Sequence, residues 1–301
     1  MPRLIVPALA STLLVCAGAQ AHDIGTVATL RWTLDAWVTL PLVLSLLWFG
    51  VGTWRLRRRS SQPRGHRTAT LWFAAGWLVL ALALVTPLHA AGERSFAAHM
   101  LEHELLMLVA APMLVMSRPV GRWLWALPHA VRLRLARWGC SRPVARSWRA
   151  VTDPWCATAL QAAALWGWHA PPAFDLALAS SGWHVVQHLC FLVSALLFWW
   201  AMLQGRGRRR VVVAAACLFV TSILSGALGA LMALSSGPWY AGYAALGLQP
   251  FGLSAAEDQQ LAGLLMWVPG GLVHAVFGVA LLTSLLRDEP RRQPARLSAG
   301  T

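Results

Sequence analysis

Ten histidines are the side chains best suited to chemistry in this 301-residue sequence. Two pairs, His99/His103 and His184/His188, are spaced four apart. On an α-helix that spacing puts both imidazoles on one face, about 6 Å apart along the axis, where a pair can grip one metal ion. Met107 continues the first stripe one turn further on. Imidazole with thioether suits copper, and the thioether favours the reduced, softer ion. His169 closes the run WGWHAPP and His89 follows Thr86-Pro87, so each ends its segment on the same face of the membrane at which the paired histidines begin theirs. Glu102, Glu104 and Asp258 are carboxylates able to bond the second nitrogen of a ligating imidazole and fix its tautomer. The expected metal ligands are therefore His99, His103, His184, His188, His169, His89 and Met107, with Glu102 and Asp258 orienting them.

The elements that must carry these residues follow from composition. A chain 57% hydrophobic and 12% charged, with mean hydropathy +0.56, has too little polar surface for a water-soluble globule of this size. An all-α, polytopic membrane protein is expected. Seven segments are apolar enough to cross a bilayer as helices: about 34–54, 68–88, 98–117, 154–169, 183–203, 211–234 and 259–286, the fourth being the shortest. Ahead of them stand Arg3, an apolar run and then Ala19-Gln20-Ala21, the small-residue pattern of a signal-peptidase site. The expected organisation is a signal peptide or uncleaved anchor at 1–21, a seven-helix domain over 22–290 and a cytoplasmic tail at 291–301. Cleavage after Ala21 would expose His22, whose α-amine and imidazole together chelate copper.

Charge orients the spans. All 25 basic residues are Arg, and the net charge of +14 would suggest nucleic acid in a soluble chain. Here the arginines fall in the connections: six in 55–67, eight in 118–150, four in 206–210 and four after 286. Arginine-rich connections stay in the cytoplasm, which puts the N-terminus outside and the C-terminus inside, with no nucleic-acid partner. The opposite face carries eight acids against Arg31 and Arg94 and should attract cations. The stretch WLWALPHAVRLRLARW at 123–138 is expected to lie on the inner membrane surface. Many of the 18 tryptophans fall near segment ends, as ordinary interfacial anchors do.

Other chemistries fit less well. The five cysteines stand singly, without a C-x-x-C pair, which removes zinc knuckles and thioredoxin-like motifs. His99-x-x-Glu102-His103 has inverted-zincin spacing, but the pattern is short and helix position alone explains it. Two histidines on one helix face suit haem poorly, because axial ligands approach from opposite sides. His66 and His129 lie in arginine-rich connections, and His274 falls roughly 22 Å into the last segment, too deep for the outer site.

Four blocks then carry a family likeness over roughly 30–286: HMLEHELLMLVAAPMLVMSRP at 99–119, WGWHAPPAFDLAL at 166–178, WHVVQHLCFLVSALLFWW at 183–200 and DQQLAGLLMWVPGG at 258–271. In this order they resemble the CtaG-type cytochrome c oxidase assembly factors. The resemblance implies a multi-pass protein of the bacterial inner membrane that matures a haem-copper oxidase, handling copper for its catalytic subunit without catalysing a reaction. The implied partners are the nascent oxidase subunit, the lipid bilayer and a periplasmic copper donor. Carried over by position, the family pattern marks His99, His103, His169, His184, His188, Asp258, Gln259, Met266 and Trp267. The N-terminal segment with His22 and the arginine-rich inner loop depart from that pattern and leave copper uptake as an alternative, with a bis-histidine haem electron carrier as another.

Overall fold

A computed structural model describes residues 32–59, 63–205, 207–247 and 252–288. The segment 1–21, His22 and the tail 291–301 lie outside the described residues. Those described form helices joined by short turns, with no strand among them. In chain order these are α1 (Ala36–Arg57), α2 (Pro63–Val85), α3 (Pro87–Gly92), α4 (Phe96–Glu104), a π-helical turn (Leu105–Ala110), α5 (Ala111–Ser117), α6 (Pro119–Ala126), α7 (His129–Gly139) and α8 (Arg142–Val151). There follow α9 (Pro154–His169), α10 (Pro171–Ala179), α11 (Ser181–Leu203), α12 (Arg208–Ala233), α13 (Ala241–Ala244) and α14 (Ala255–Asp288).

Six helices are long and apolar enough to cross a membrane: α1, α2, the continuous Phe96–Ser117 unit made of α4, the π-turn and α5, then α11, α12 and α14. The expected seventh, at 154–169, forms as α9, but its 16 residues extend only about 24 Å, short of a hydrocarbon core of about 30 Å. Both its ends are fixed by sequence. Asp153 accepts from the amides of Trp155 and Cys156 at the start, and Ala170 turns extended ahead of Pro171-Pro172, where the missing N–H groups begin α10 instead of prolonging α9. The amphipathic stretch expected at 123–138 is likewise divided. Pro128 separates α6 from α7, and α6 packs on α1 so closely that a Cβ at Gly52 would collide with the carbonyl of Arg122.

The Phe96–Ser117 unit is the most buried of the six spans, packed between α2, α11 and α14. Its π-turn has a sequence cause and a side-chain partner. The Ala111 amide bonds back to the Leu106 carbonyl, five residues away, so the next residue in that register would pair with Met107. That residue is Pro112, which has no N–H, and the Trp199 indole of α11 supplies the missing donor, 2.8 Å from the Met107 carbonyl. Across the bundle, α12 and α14 meet backbone to backbone. Gly229 and Gly263 face each other so closely that a Cβ on either would collide with the other's carbonyl oxygen, the small-residue contact by which membrane helices gain packing. The first contact ties the Phe96–Ser117 unit to α11 and the second ties α12 to α14, and these helices position the polar residues.

Candidate metal centre

Five imidazoles from three helices converge at one end of the bundle. His89 comes from α3, His99 and His103 from α4, and His184 and His188 from α11. Ring centroids are 4.4 Å apart for His99–His103 and for His184–His188, 4.9 Å for His103–His188, 5.1 Å for His99–His184 and 5.4 Å for His89–His184. The two i, i+4 pairs thus face each other across the α4–α11 contact.

Local sequence places each ring. Thr86 caps α3, its hydroxyl accepting from the Leu88 amide with Pro87 at the first helical position, and this turns the chain back over α4. Ser95 caps α4 through the Ala98 amide. Asp258, from the first turn of α14, adds bonds to the Ser95 hydroxyl at 2.8 Å, the Phe96 amide at 2.5 Å and the Ala97 amide at 3.4 Å. Asp258, expected to orient an imidazole, is placed at the start of α4. Its carboxylate lies against the positive end of α4 and fixes the helix that carries His99 and His103, acting on the backbone rather than on a ring.

Glu102 stands where an orienting carboxylate is useful. It is fully buried, its Oε1 accepts from His89 Nδ1 at 2.8 Å, and the same oxygen is 3.8 Å from His188 Nδ1. Burial works against the charged form of His89, but the Glu102 carboxylate outweighs it and holds that ring above the ordinary histidine pKa. With its Nδ1–H so engaged, the neutral form of His89 carries its lone pair on Nε2, and a cation binding there competes with the proton that Glu102 favours.

His99 has a partner that spacing did not indicate. The Tyr243 hydroxyl, on α13, lies 2.5 Å from the Gly92 carbonyl and 3.1 Å from His99 Nδ1. Burial, with the carboxylates of Asp258 and Glu102 nearby, pushes the phenol well above its ordinary range, so it stays protonated and donates to the carbonyl. It accepts from His99 Nδ1–H in turn, which leaves the His99 lone pair on Nε2.

Several polar atoms in the group are left unpaired. Neither nitrogen of His103, nor Nε2 of His188, nor Oε2 of Glu102 has a hydrogen-bond partner, although all are buried, and the fully buried Gln187 side chain is the polar neighbour of His99. Polar atoms so buried are ordinarily satisfied. One ligand atom from each of His99, His103 and His188 lies within 4.8 Å of the other two. Nitrogens bound about 2.0 Å from a shared ion stand roughly 3.4 Å apart, so ring rotations of about 1 Å suffice to close the set.

Of the remaining expected ligands, His184 stacks on His89 and His99 at the half-exposed outer edge of the group. His169 is set beside it, behind the Phe174 and Phe191 rings, with Nδ1 2.6 Å from the Leu165 carbonyl and Nε2 3.3 Å from the Met100 sulfur. The carbonyl fixes the proton on Nδ1, so the Nε2 lone pair faces a thioether, two soft donors at the separation expected of neighbours on one ion. Met100 was not among the expected ligands, since its apposition to His169 depends on how α4 meets α9. Met107, which was expected, lies deeper, its sulfur accepting from the Gln161 amide at 3.4 Å. Gln259 clamps the connection after α12 through the Trp239 amide and the Gly237 carbonyl, Met266 is core, and Trp267 packs on Gly226 and Gly229.

The family model described as cytochrome c oxidase caa3 assembly factor (Caa3_CtaG) matches residues 47–288. The chain belongs to this caa3 assembly factor family. Every converging histidine falls inside the matched region. Two uncharacterized proteins, Mb0105 of Mycobacterium bovis and MT0111 of Mycobacterium tuberculosis, are each 28% identical to this family member over 288 residues, covering 90% of its length. It spans only 42% of theirs. No solved structure matches the chain.

Proposed function

We propose that this caa3 assembly factor handles reduced copper for the catalytic subunit of a haem-copper oxidase, through histidines on the outer side of the bacterial inner membrane. The carrying observation is the cluster of His99, His103 and His188, whose ligand atoms approach within 4.8 Å of one another. Copper is the cargo here, not a resident cofactor. Imidazole ligands, with the His169–Met100 pair beside them, suit the monovalent ion, and Glu102 and Tyr243 fix the tautomers that put the lone pair of neutral His89 and His99 on Nε2.

The topology belongs to this reading. With the arginine-rich connections inside, α9 is a seventh, shorter crossing, the mature N-terminus is outside and the histidine cluster faces the periplasm, where a copper donor and the nascent subunit can both reach it. His184, half-exposed at the edge of the cluster, is the ligand of first capture, and the fully buried His99 and His103 hold the ion. Handover needs ligand exchange, so a three-imidazole site open on one side suits delivery better than a closed four-ligand site. The haem alternative is disfavoured by the packing itself, because the rings touch one another and leave no gap between them for a macrocycle.

The test is genetic and chemical together. Cells lacking the protein should assemble oxidase deficient in its active-site copper and in activity, and wild-type protein should restore both while the His99→Ala, His103→Ala variant should not. Normal oxidase copper in the deletion strain would overturn the reading.

A further inference from the structure

Below the outer cluster the bundle holds a second group of polar side chains that the delivery reading does not use. Glu104 from α4, Gln161 from α9 and His274 from α14 line one internal cavity together with Met107 and Trp199. Glu104 directly follows His103 in the chain, and Trp199 lies eleven residues, roughly 16 Å, beyond His188 along α11. The group is therefore near the middle of the span rather than at its mouth.

Two polar atoms here have no hydrogen-bond partner, Glu104 Oε2 and Gln161 Oε1, and the His274 ring bonds back to the Gly270 backbone. His274 and Gln161 are only 4% and 7% exposed. Three helices have thus each contributed a polar group to one internal space. A carboxylate in the hydrocarbon region is expensive unless a counter-charge meets it, and such residues ordinarily mark ion or substrate paths. The Met107 sulfur is held at the cavity wall by the Gln161 amide, and the His274 ring is stacked on Trp199 with an interplanar angle of 7°. Both donors are fixed in orientation by packing.

From this arrangement we propose a second cation site at mid-span, in which the Glu104 carboxylate, the His274 imidazole and the Met107 thioether, with the Gln161 carbonyl oxygen, hold one reduced copper ion. The donor set selects that ion on two grounds. Thioether and imidazole favour a soft cation. One carboxylate among neutral donors is balanced by a single positive charge, whereas a divalent ion would leave net charge in the membrane interior. The site rests on the copper reading of the outer cluster and extends it: the ion has a station beneath the mouth, so the protein conducts copper into the bilayer as well as capturing it. No bond is made or broken other than metal–ligand bonds, and the copper keeps its oxidation state.

The test uses the full-length protein in detergent, loaded with reduced copper against a competing chelator and examined by copper-edge X-ray absorption. His99→Ala, His103→Ala, His188→Ala should lose one equivalent and retain another with a sulfur neighbour. In that background Met107→Leu should remove the sulfur signal, and Glu104→Gln should weaken the retained equivalent at least tenfold. Glu104→Gln alone should leave the outer equivalent in place, which also reports that the variant is folded. Unchanged metal content and sulfur signal in both Met107→Leu and Glu104→Gln would overturn the inner site while leaving the outer reading intact. Full copper retention by the triple histidine variant, with no equivalent lost, would instead count against the outer site on which this inference depends.

Discussion

The two ends of the bundle bury polar groups in opposite ways. At the arginine-rich end, guanidinium groups reach backbone carbonyls, Arg122 Nη1 to Ser117 at 2.6 Å, the exposed Arg55 to Ala126 at 2.6 Å and the exposed Arg210 to Thr152 at 3.1 Å, while Arg122 Nε stays buried without a partner. At the histidine end, imidazoles of two helices face one another, and buried ring nitrogens of His103 and His188 have no partner. Leaving a buried polar group unsatisfied costs about 1–3 kcal/mol. The first arrangement pairs charged donors with the backbone and serves the fold. The second gathers potential ligand atoms from two helices, and the proposed copper site rests on that contrast.

Breaking the contrast most severely means removing ligands. His99→Ala with His103→Ala should abolish outer-site copper binding, a loss beyond about 100-fold in a chelator-competition titration, because it deletes bonds to the ion rather than their support. Glu102→Gln should come next. It removes the carboxylate that orients His89 and approaches His188, and the same titration should show affinity falling roughly 10–100-fold with the helical content unchanged. Asp258→Asn acts on the scaffold, weakening charge-assisted bonds to two amides and a hydroxyl at the start of α4. Thermal unfolding in detergent should register a loss of about 1–3 kcal/mol, with copper affinity falling only as far as α4 loosens.

Smaller changes sharpen the comparison. Tyr243→Phe frees the His99 tautomer without touching the ligand atoms and should weaken copper severalfold in the titration, less than Glu102→Gln. At the other end, Arg122→Met removes a donor whose partner is a backbone carbonyl, so stability should fall by about 1–2 kcal/mol while copper affinity stays at the wild-type value. A change in copper binding from Arg122→Met equal to that from Glu102→Gln would erase the distinction between the two ends.

Much of this arrangement is legible in the residues themselves. Four-residue spacing puts His99 with His103 and His184 with His188 on helix faces, and apolar length finds the six long spans within a few residues. What spacing cannot supply is which helices touch. Tyr243 reaches His99 only because α13 folds back toward Gly92, and Met100 meets His169 only because the end of α9 comes up to α4. The π-turn is hidden for a related reason. Pro112 alone signals a break, and it is the Trp199 indole, 92 residues beyond Met107, that makes the wider register satisfiable. Asp258 is ambiguous because an acid near a histidine stripe and an acid at a helix start look alike in sequence, and only the position of α14 against Ser95 separates them.

The most direct test is copper-edge X-ray absorption on the wild-type protein carrying one equivalent of reduced copper. Expected are about three nitrogen neighbours near 2.0 Å with the multiple scattering of imidazole rings, and loss of that shell in the His99→Ala, His103→Ala, His188→Ala variant. A first shell without imidazole scattering, or one the triple variant leaves unchanged, would contradict a shared ion among these three histidines.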